Sequence, residues 1–377
     1  MELTMEIQEY IAAHRQEGYE LLLEIAQIPS PSNHEEKRAA FCKAWLERQG
    51  AEGVYIDEAL NVIYPIGCTD TNDLVVFMAH SDVVFPDTEK LPLRIEGDRI
   101  YCPGVGDDTA NVAALLMTAK YIAQHKLQSK DLGVLLIINS GEEGLGNLKG
   151  SRRIMEAFGS RVREFVTLDG RTSSCVNRAV GSKRYRIEVD TEGGHSYANF
   201  GNRNAIAVLS SMIAKLYSIE VPPMGKTTYN VGTISGGTSV NTIAQDASML
   251  YEFRSDDRDC LEIMQGELDR ILQAHQSQGV ELSCRLVGDR PCSAQVDAAR
   301  QSELSQRAAQ AALAHFGKLP VRSAASTDCN IPLSLGIPSV CIGCLRGEGA
   351  HTRQERVQIS SLLPGLKLCL EMVLFRF

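Results

Sequence analysis

Three short apolar runs in the first half of the chain end in polar residues, and this pattern predicts buried parallel strands. The runs are VVFMAHSD (75–82), LGVLLIINSGEEG (132–144) and FVTLDG (165–170). Continuous apolar stretches of this length are typical of strands that are covered on both faces. Ligands of open α/β sheets bind beyond the carboxyl ends of the strands, so the polar residues after the runs are predicted to meet in one crevice.

Helical periodicity surrounds these runs. An amphipathic stretch covers about Glu6 to Ile28, a second helix is predicted near Asn33 to Gln49, and a strongly helical segment lies at 110–126. Asn33 and Glu36 have the spacing of a capping box. The alternation of strands and helices is the pattern of a doubly wound α/β domain with a mostly parallel sheet.

The pattern changes from about Gly181 to longer alternating strands and two helices, which predicts a smaller α+β domain with both helices on one face of its sheet. The strands are KRYRIEVD, TTYNVGTISG, ASMLYEFRSD and GVELSCRLVG, and the helices lie at 204–217 and 258–276. A helix at 302–316 and the strand-like PSVCIG then restore the first pattern. We therefore predict a catalytic domain at 1–180 and 291–377, interrupted by an inserted domain at 181–290.

Composition narrows the functional class. The 377 residues are 44% hydrophobic, carry a net charge of −9 and have a pI near 5.5, which suits a globular protein and argues against a nucleic-acid-binding surface. The N-terminal segment has no basic region before an apolar core, and no run approaches a membrane span, so we predict a cytoplasmic protein without a membrane partner. The eleven cysteines, Cys341 and Cys344 included, are interpreted as reduced core thiols.

Chemistry-bearing residues follow each strand-like run. His80 and Asp82 stand two apart at a strand end, where a carboxylate can orient an imidazole that binds metal. PGVGDDTAN places two adjacent acids before an apolar helix, which is more than helix capping requires, and we assign a bridge between two cations to Asp108. Glu142 and Glu143 lie between two glycines, and such a pair suits one metal ligand and one general base.

These motifs resemble, in order and over nearly the whole chain, the co-catalytic di-zinc metallopeptidases. That family includes peptidase T, carboxypeptidase G, aminoacylase and the acetylornithine deacetylase/succinyl-diaminopimelate desuccinylase enzymes. The matching segments are AHSD, GVGDDTAN, GEEG, TLDG and GAHT. The resemblance implies the following roles: His80 and Asp169 bind one zinc, Glu143 and His351 bind the other, Asp108 bridges, Asp82 orients His80, and Glu142 is the general base.

The inserted segment resembles the lid or dimerisation domain of the same family. Its GGHS implies that His195 reaches the partner subunit's active site and stabilises the oxyanion, so a homodimer is expected. Asn241 and Arg254 match positions that contact the substrate backbone or carboxylate. The resemblance also implies two zinc ions, with cobalt or manganese as alternatives, because His and carboxylate ligands serve all three metals.

Two amide substrates fit these residues. An Asp at position 169 and the segments around GGHS and STDCN look most like peptidase-T-like aminopeptidases, which act on short peptides. An N-acyl amino acid deacylase uses the same seven residues. Two other classes stay open: a catalytically silent scaffold, and a nucleotide-binding protein using the glycines of PGVGDD, although G-x-G-x-x-G is absent and the acids would repel phosphate.

Overall fold

A computed structural model describes residues 3–277 and 279–377. Contacts within the chain divide it into two compact units, one formed by Met1–Ala179 with Ala294–Phe377 and the other by Val180–Ser293. The predicted domain boundaries, after residues 180 and 290, fall close to these divisions.

The structure contains ten labelled helices and eighteen labelled strands within its described residues. The helices are α1 Met5–Ala13, α2 Arg15–Ala26, α3 Glu36–Arg48, α4 Ala110–Gln124, α5 Lys149–Phe158, α6 Ala205–Leu216, α7 Arg258–Gln276, α8 Ala298–Phe316, α9 Asn330–Ser334 and α10 Leu362–Leu374. The strands are β1 Tyr55–Ile56, β2 Val62–Ile66, β3 Leu74–His80, β4 Arg94–Glu96, β5 Arg99–Tyr101, β6 Gly133–Asn139, β7 Val162–Thr167, β8 Ser174–Ala179, β9 Gly181–Asp190, β10 Gly194–His195, β11 Thr227–Gly236, β12 Thr242–Ile243, β13 Asp246–Ser255, β14 Glu281–Arg290, β15 Val321–Ala325, β16 Ser339–Ile342, β17 Gly347–Glu348 and β18 Arg356–Gln358.

The first unit is built on an eight-stranded sheet in the order β1-β2-β6-β3-β7-β16-β8-β15. The central strands β6, β3, β7 and β16 run parallel to one another, whereas β2 and β8 are antiparallel to their central neighbours. The three apolar runs of the sequence are the adjacent strands β6, β3 and β7. Their carboxyl ends therefore share one edge of the sheet.

Both faces of this sheet are covered by helices. On β3, Val75, Phe77 and Ala79 pack with α3, α4, α8 and α10, while Val76 and Met78 face the opposite way and pack with α5 and α9. Successive side chains of a strand point to opposite faces, so a strand that is apolar at every position must be buried on both. The predicted α/β class with a mostly parallel sheet is confirmed.

The second unit contains an antiparallel sheet in the order β11-β13-β9-β14. Alternate residues of its two central strands, such as Ile187 and Val189 on β9 and Met249 and Phe253 on β13, form one core with α6 and α7. The alternation in the sequence thus corresponds to a sheet with both helices on one face. A separate small pair joins β10 to β12.

One local prediction about the N-terminal helices is wrong, namely the capping box at Asn33. The first amphipathic stretch forms two helices that meet at His14. The capping box at Asn33 does not form: Asn33 has a φ of 72°, and helix α3 has Glu35 as its N-cap. The Glu35 carboxylate instead accepts hydrogen bonds from the backbone N–H groups of Asn33 (2.8 Å) and Gly141 (3.0 Å).

All eleven cysteines are free thiols. Nine of them, including Cys341 and Cys344, are buried, whereas Cys68 is half-buried and Cys284 is exposed, so the prediction of a core thiol is wrong for Cys284. Among the helices of residues 3–277 and 279–377, none has the length and apolar character needed to cross a membrane.

Candidate metal centre

The polar residues after β3, β6 and β7 meet at the shared edge of the first unit's sheet. His80 is the last residue of β3 and pairs with Asn139, the last residue of β6. Asp169 follows β7, and its Oδ1 lies 3.9 Å from His80 Nε2. An imidazole and carboxylates that follow three neighbouring parallel strands therefore lie together at the carboxyl edge of the sheet, as the strand pattern predicts.

The Asp107 carboxylate lies between two imidazoles. Its Oδ1 is 3.1 Å from His80 Nε2 and its Oδ2 is 3.1 Å from His351 Nε2. His351 Nε2 also lies 3.0 Å from Glu143 Oε1. His351 has a φ of 64°, an uncommon backbone conformation for a residue other than glycine that is often found at functional sites. One carboxylate thus presents a separate oxygen to each imidazole.

The neighbouring Asp108 has a different environment. Its Oδ2 accepts the backbone N–H of His80 at 3.0 Å, and its Oδ1 accepts the side-chain amide of Asn111 at 2.5 Å. Asp108 is fully buried. The sequence analysis assigns the bridge between cations to Asp108, whereas the carboxylate whose two oxygens lie near the two imidazoles is that of Asp107.

Asp82 fixes the turn that carries the acidic pair. Its Oδ1 accepts the backbone N–H of Glu142 at 3.0 Å, and its Oδ2 accepts that of Glu143 at 2.9 Å and the Ser32 hydroxyl at 2.7 Å. His80 Nδ1 lies 3.1 Å from the Asp82 backbone carbonyl and 3.5 Å from its Oδ1. Asp82 therefore holds both the imidazole of His80 and the acidic turn.

The glycines on either side of the acidic pair are required by the backbone. Gly141 has a φ of 65° and Gly144 a φ of 45°, both in the left-handed region that side chains disfavour. A Cβ at Gly141 would also meet the Lys149 side chain at 2.5 Å. The turn thus brings Glu142 and Glu143 into the crevice at the end of β6, where both side chains are buried.

The carboxylates of this cluster repel one another. Burial, followed by the charge of Asp107, raises the pKa of Asp169 well above its usual value. Burial also raises the pKa of Asp108. For Glu143, burial raises the pKa to about 7 although the hydrogen bond with His351 opposes the shift. Such shifts are typical of buried acids that lie close together, and they cluster at functional sites.

The cluster therefore fits bound divalent cations. Each of two groups has its ligand atoms within 4.8 Å of one another. The groups are His80, Asp107 and Glu143, and His80, Asp108 and Asp169. The ion pairs that described residues make with these carboxylates come from the imidazoles of His80 and His351. Imidazole and carboxylate donors suit zinc, cobalt or manganese.

The sequence interpretation did not identify Asp328, which lies near Glu142. It is fully buried, and its Oδ2 accepts the side-chain amide of Asn139 at 2.6 Å. Burial and then the charge of Glu142 raise the pKa of Asp328 to about 7. The segment STDCN contains this acid, but nothing in the sequence indicates that it lies beside the acidic turn.

A second residue without a signal in the sequence is Glu355, which holds the loop of Asp107. Its Oε1 accepts the backbone N–H groups of Gly106 and Asp107, both at 2.7 Å, and its Oε2 accepts that of Gly104 at 2.9 Å. Glu355 is only 2% exposed. One buried carboxylate thus accepts three backbone N–H groups of the loop that carries Asp107.

Replacing Glu355 with Ala is expected to weaken metal binding. Three buried N–H groups would lose their acceptor, which costs about 3 kcal/mol or more of folding free energy. The Asp107 carboxylate would also lose its fixed position, so zinc affinity should fall about 10–100-fold. Thermal unfolding and a competitive zinc titration measure the two effects. The matched control is Glu96→Ala, an exposed acid that pairs with Arg94, and unchanged zinc affinity in Glu355→Ala would contradict this role.

Three further predicted residues belong to the second unit. His195 is exposed, and its Nδ1 accepts the backbone N–H groups of Tyr197 at 3.2 Å and Ala198 at 3.4 Å, which leaves the proton of the neutral ring on Nε2. Asn241 is exposed and accepts the hydroxyl of Ser239 at 2.7 Å. The roles assigned to His195, Asn241 and Arg254 stay predictions.

Arg254 lies on β13 and forms an ion pair with Glu252 of the same strand. Its Nε and Nη2 donate to the two carboxylate oxygens of Glu252, at 2.9 and 3.0 Å. A guanidinium held in this way keeps its remaining donors in a fixed direction.

The fold and the cluster define a class: an α/β protein with a His and carboxylate centre at the carboxyl edge of its sheet, suited to metal-dependent hydrolysis. Residues 76–374 match the family described as peptidase family M20/M25/M40, and the chain belongs to it. It is accordingly a hydrolase that acts on peptide or other amide bonds.

Relatives and solved structures are consistent with this family. A tripeptidase from Staphylococcus aureus subsp. aureus Mu50 superposes with a TM-score of 0.76 at 21% identity, covering 95% of this chain and 97% of that one. The aminopeptidase PepT from Bacillus cereus ATCC 10987 gives a TM-score of 0.72 at 20% identity, covering 95% and 98%. A succinyl-diaminopimelate desuccinylase from Nitrosospira multiformis is 26% identical over 225 residues, covering 54% of this chain and 58% of that protein.

Proposed function

We propose that this protein is a two-zinc aminopeptidase that acts on short peptides. The observation that carries the proposal is the Asp107 carboxylate, whose two oxygens each lie 3.1 Å from a different imidazole Nε2. A carboxylate in that position suits a bridge between two cations, with His80 and Asp169 on one side and Glu143 and His351 on the other. We therefore assign the bridging role to Asp107 instead of Asp108.

When bound, two divalent cations would polarise the scissile carbonyl and lower the pKa of the attacking water. Glu142 is the proposed general base, which takes the proton of that water and delivers it to the leaving amine. Its backbone N–H is held by Asp82 at 3.0 Å, so the position of the base and that of the ligand Glu143 depend on the same carboxylate.

His195 is proposed to reach the active site of the partner subunit and to donate to the carbonyl oxygen as negative charge develops there. Its Nδ1 accepts two backbone N–H groups, so the neutral ring has an Nε2–H available for donation. Asn241 and Arg254 are proposed to contact the backbone or carboxylate of the substrate. The homodimer, the cytoplasmic location and zinc in preference to cobalt or manganese stay predictions.

Short peptides are favoured as substrates because the solved structures that resemble this chain include a tripeptidase and an aminopeptidase. An Asp at position 169 and the segments around GGHS and STDCN favour the same choice. Deacylation of an N-acyl amino acid is the second candidate, favoured by the similarity to a desuccinylase. Both reactions are the attack of water on an amide.

The test compares a tripeptide, its N-acetylated form and a set of N-acetyl amino acids, and free amino acid release is measured with the zinc-loaded protein. An aminopeptidase should cleave the free tripeptide and leave the acetylated one intact, because it requires the free α-amine. Cleavage of N-acyl amino acids with no activity on free peptides would instead establish the deacylase. Glu142→Gln, prepared in the same way, controls for contaminating peptidases.

A further inference from the structure

A cavity of about 370 Å³ in the first unit is surrounded by positive charge. Five cationic side chains from separate parts of the chain line it: Arg99, Arg171, Lys318, Arg346 and Arg356. Glu348 is the one acid among its described lining residues, and it forms an ion pair with Arg356. The chain as a whole has a net charge of −9, so the charge of this cavity is opposite in sign to the net charge of the protein.

Most of these charges are not neutralised by the protein. In the described part of the chain, no ion pair links Arg171, Lys318 or Arg346 to a carboxylate. The Nε of Arg356 is buried and has no hydrogen-bond partner among the described residues. Like charges that face one cavity repel one another, and an anion inside the cavity would relieve that repulsion.

Two of the guanidinium groups are held in place by backbone carbonyls. Arg171 Nη1 donates to the carbonyl of Gly347 at 3.3 Å, and Arg346 Nη2 donates to that of Phe316 at 3.1 Å. The Arg346 guanidinium also lies over the Phe316 ring, 5.5 Å from its centre. Arginine side chains fixed in this way keep other donors free for a carboxylate or phosphate, and less entropy is lost when an anion binds.

We propose that this cavity binds a small organic polyanion, whose negative charge is carried by phosphate groups or by several carboxylates. The planar guanidinium groups match the oxygens of either group in pairs. Phe316 and Leu319 provide an apolar wall for the carbon skeleton. The site belongs to the first unit, and its existence does not depend on the identity of the peptide substrate.

The test is isothermal titration of the zinc-loaded full-length protein with a hexose bisphosphate and, separately, with tricarballylate. The proposal predicts saturable binding of at least one of them, and the comparison distinguishes phosphate from carboxylate as the favoured group. The double variant Lys318→Gln/Arg346→Gln should bind at least tenfold more weakly. The charge-matched control Arg15→Gln/Lys90→Gln changes two exposed cations outside the cavity and should stay within twofold of the unmodified protein.

Binding at the metal centre is the main competing explanation, and Glu143→Ala distinguishes it. The proposal predicts that Glu143→Ala keeps the affinity for the anion. It is overturned if neither anion binds, if both double variants weaken binding equally, or if binding is lost in Glu143→Ala. Should the double variant fail to fold, Lys318→Glu takes its place, since this exposed side chain has no ion-pair partner among the described residues and its charge reversal should weaken binding at least tenfold.

Discussion

Replacing Glu142 with Gln is expected to lower kcat by about 10²–10⁴-fold while two metal ions stay bound. Gln keeps the size of the side chain but cannot take a proton from the attacking water. The backbone N–H that Asp82 holds at 3.0 Å is unaffected by the change, so the acidic turn should keep its shape. Steady-state kinetics and metal analysis of the same preparation measure both quantities.

The neighbouring acid provides the matched comparison. Glu143→Gln should lose metal, because Glu143 Oε1 lies 3.0 Å from His351 Nε2 within the proposed ligand cluster. If Glu142→Gln retained most of its activity, Glu142 would not be the general base. If Glu142→Gln lost metal and Glu143→Gln kept it, the two roles would be exchanged.

The second large effect is expected from Asp107→Asn. An amide has one carbonyl oxygen and an NH₂ group, so it cannot offer an oxygen to each of two cations. At least one cation should be lost, and with it several kcal/mol of transition-state stabilisation. At about 1.4 kcal/mol for each tenfold change, kcat/KM should fall by about 10²–10³-fold. Metal analysis and steady-state kinetics measure the change.

Asp108→Asn is the paired variant. Asp108 bonds to the backbone N–H of His80 and to the Asn111 amide, so its replacement should lower the free energy of unfolding by about 1–3 kcal/mol while the metal content stays at two. The opposite pattern, with metal lost in Asp108→Asn and kept in Asp107→Asn, would restore the assignment made from the sequence.

The sequence predicts those parts of the centre that depend on strand ends. An apolar run such as the one before His80 has to become a buried strand, and parallel strands in one sheet share an edge. His80, Glu143 and Asp169 could therefore be assigned to a single crevice. The left-handed turn before Glu142 could also be predicted, because glycine is the residue that adopts such a turn at little cost.

The choice between Asp107 and Asp108 could not be made from the sequence. Both acids precede the same helix, and a shift of one residue decides which carboxylate faces the imidazoles. Only the backbone of the loop fixes that direction, and part of that backbone is held by Glu355, which lies about 250 residues later in the chain. Its role is to accept backbone N–H groups, which leave no trace in the amino-acid sequence.

The basic cavity could not be predicted from the sequence either, for a related reason. Its five cations come from four segments that lie far apart in the sequence, and Arg346 and Arg356 are the two that share a segment. Nothing in the sequence of an acidic chain indicates that the fold brings these side chains together. Long-range packing thus determines both the cavity and the orientation of the loop at Asp107.

The central claim is that two cations bind on either side of the Asp107 carboxylate. The most direct measurement is a crystal structure of the zinc-loaded protein with anomalous diffraction data collected at the zinc absorption edge. We predict two anomalous peaks about 3.5–4 Å apart, one next to His80 and Asp169 and the other next to Glu143 and His351, with Asp107 between them. A single peak, no peak, or two peaks joined by Asp108 alone would contradict it.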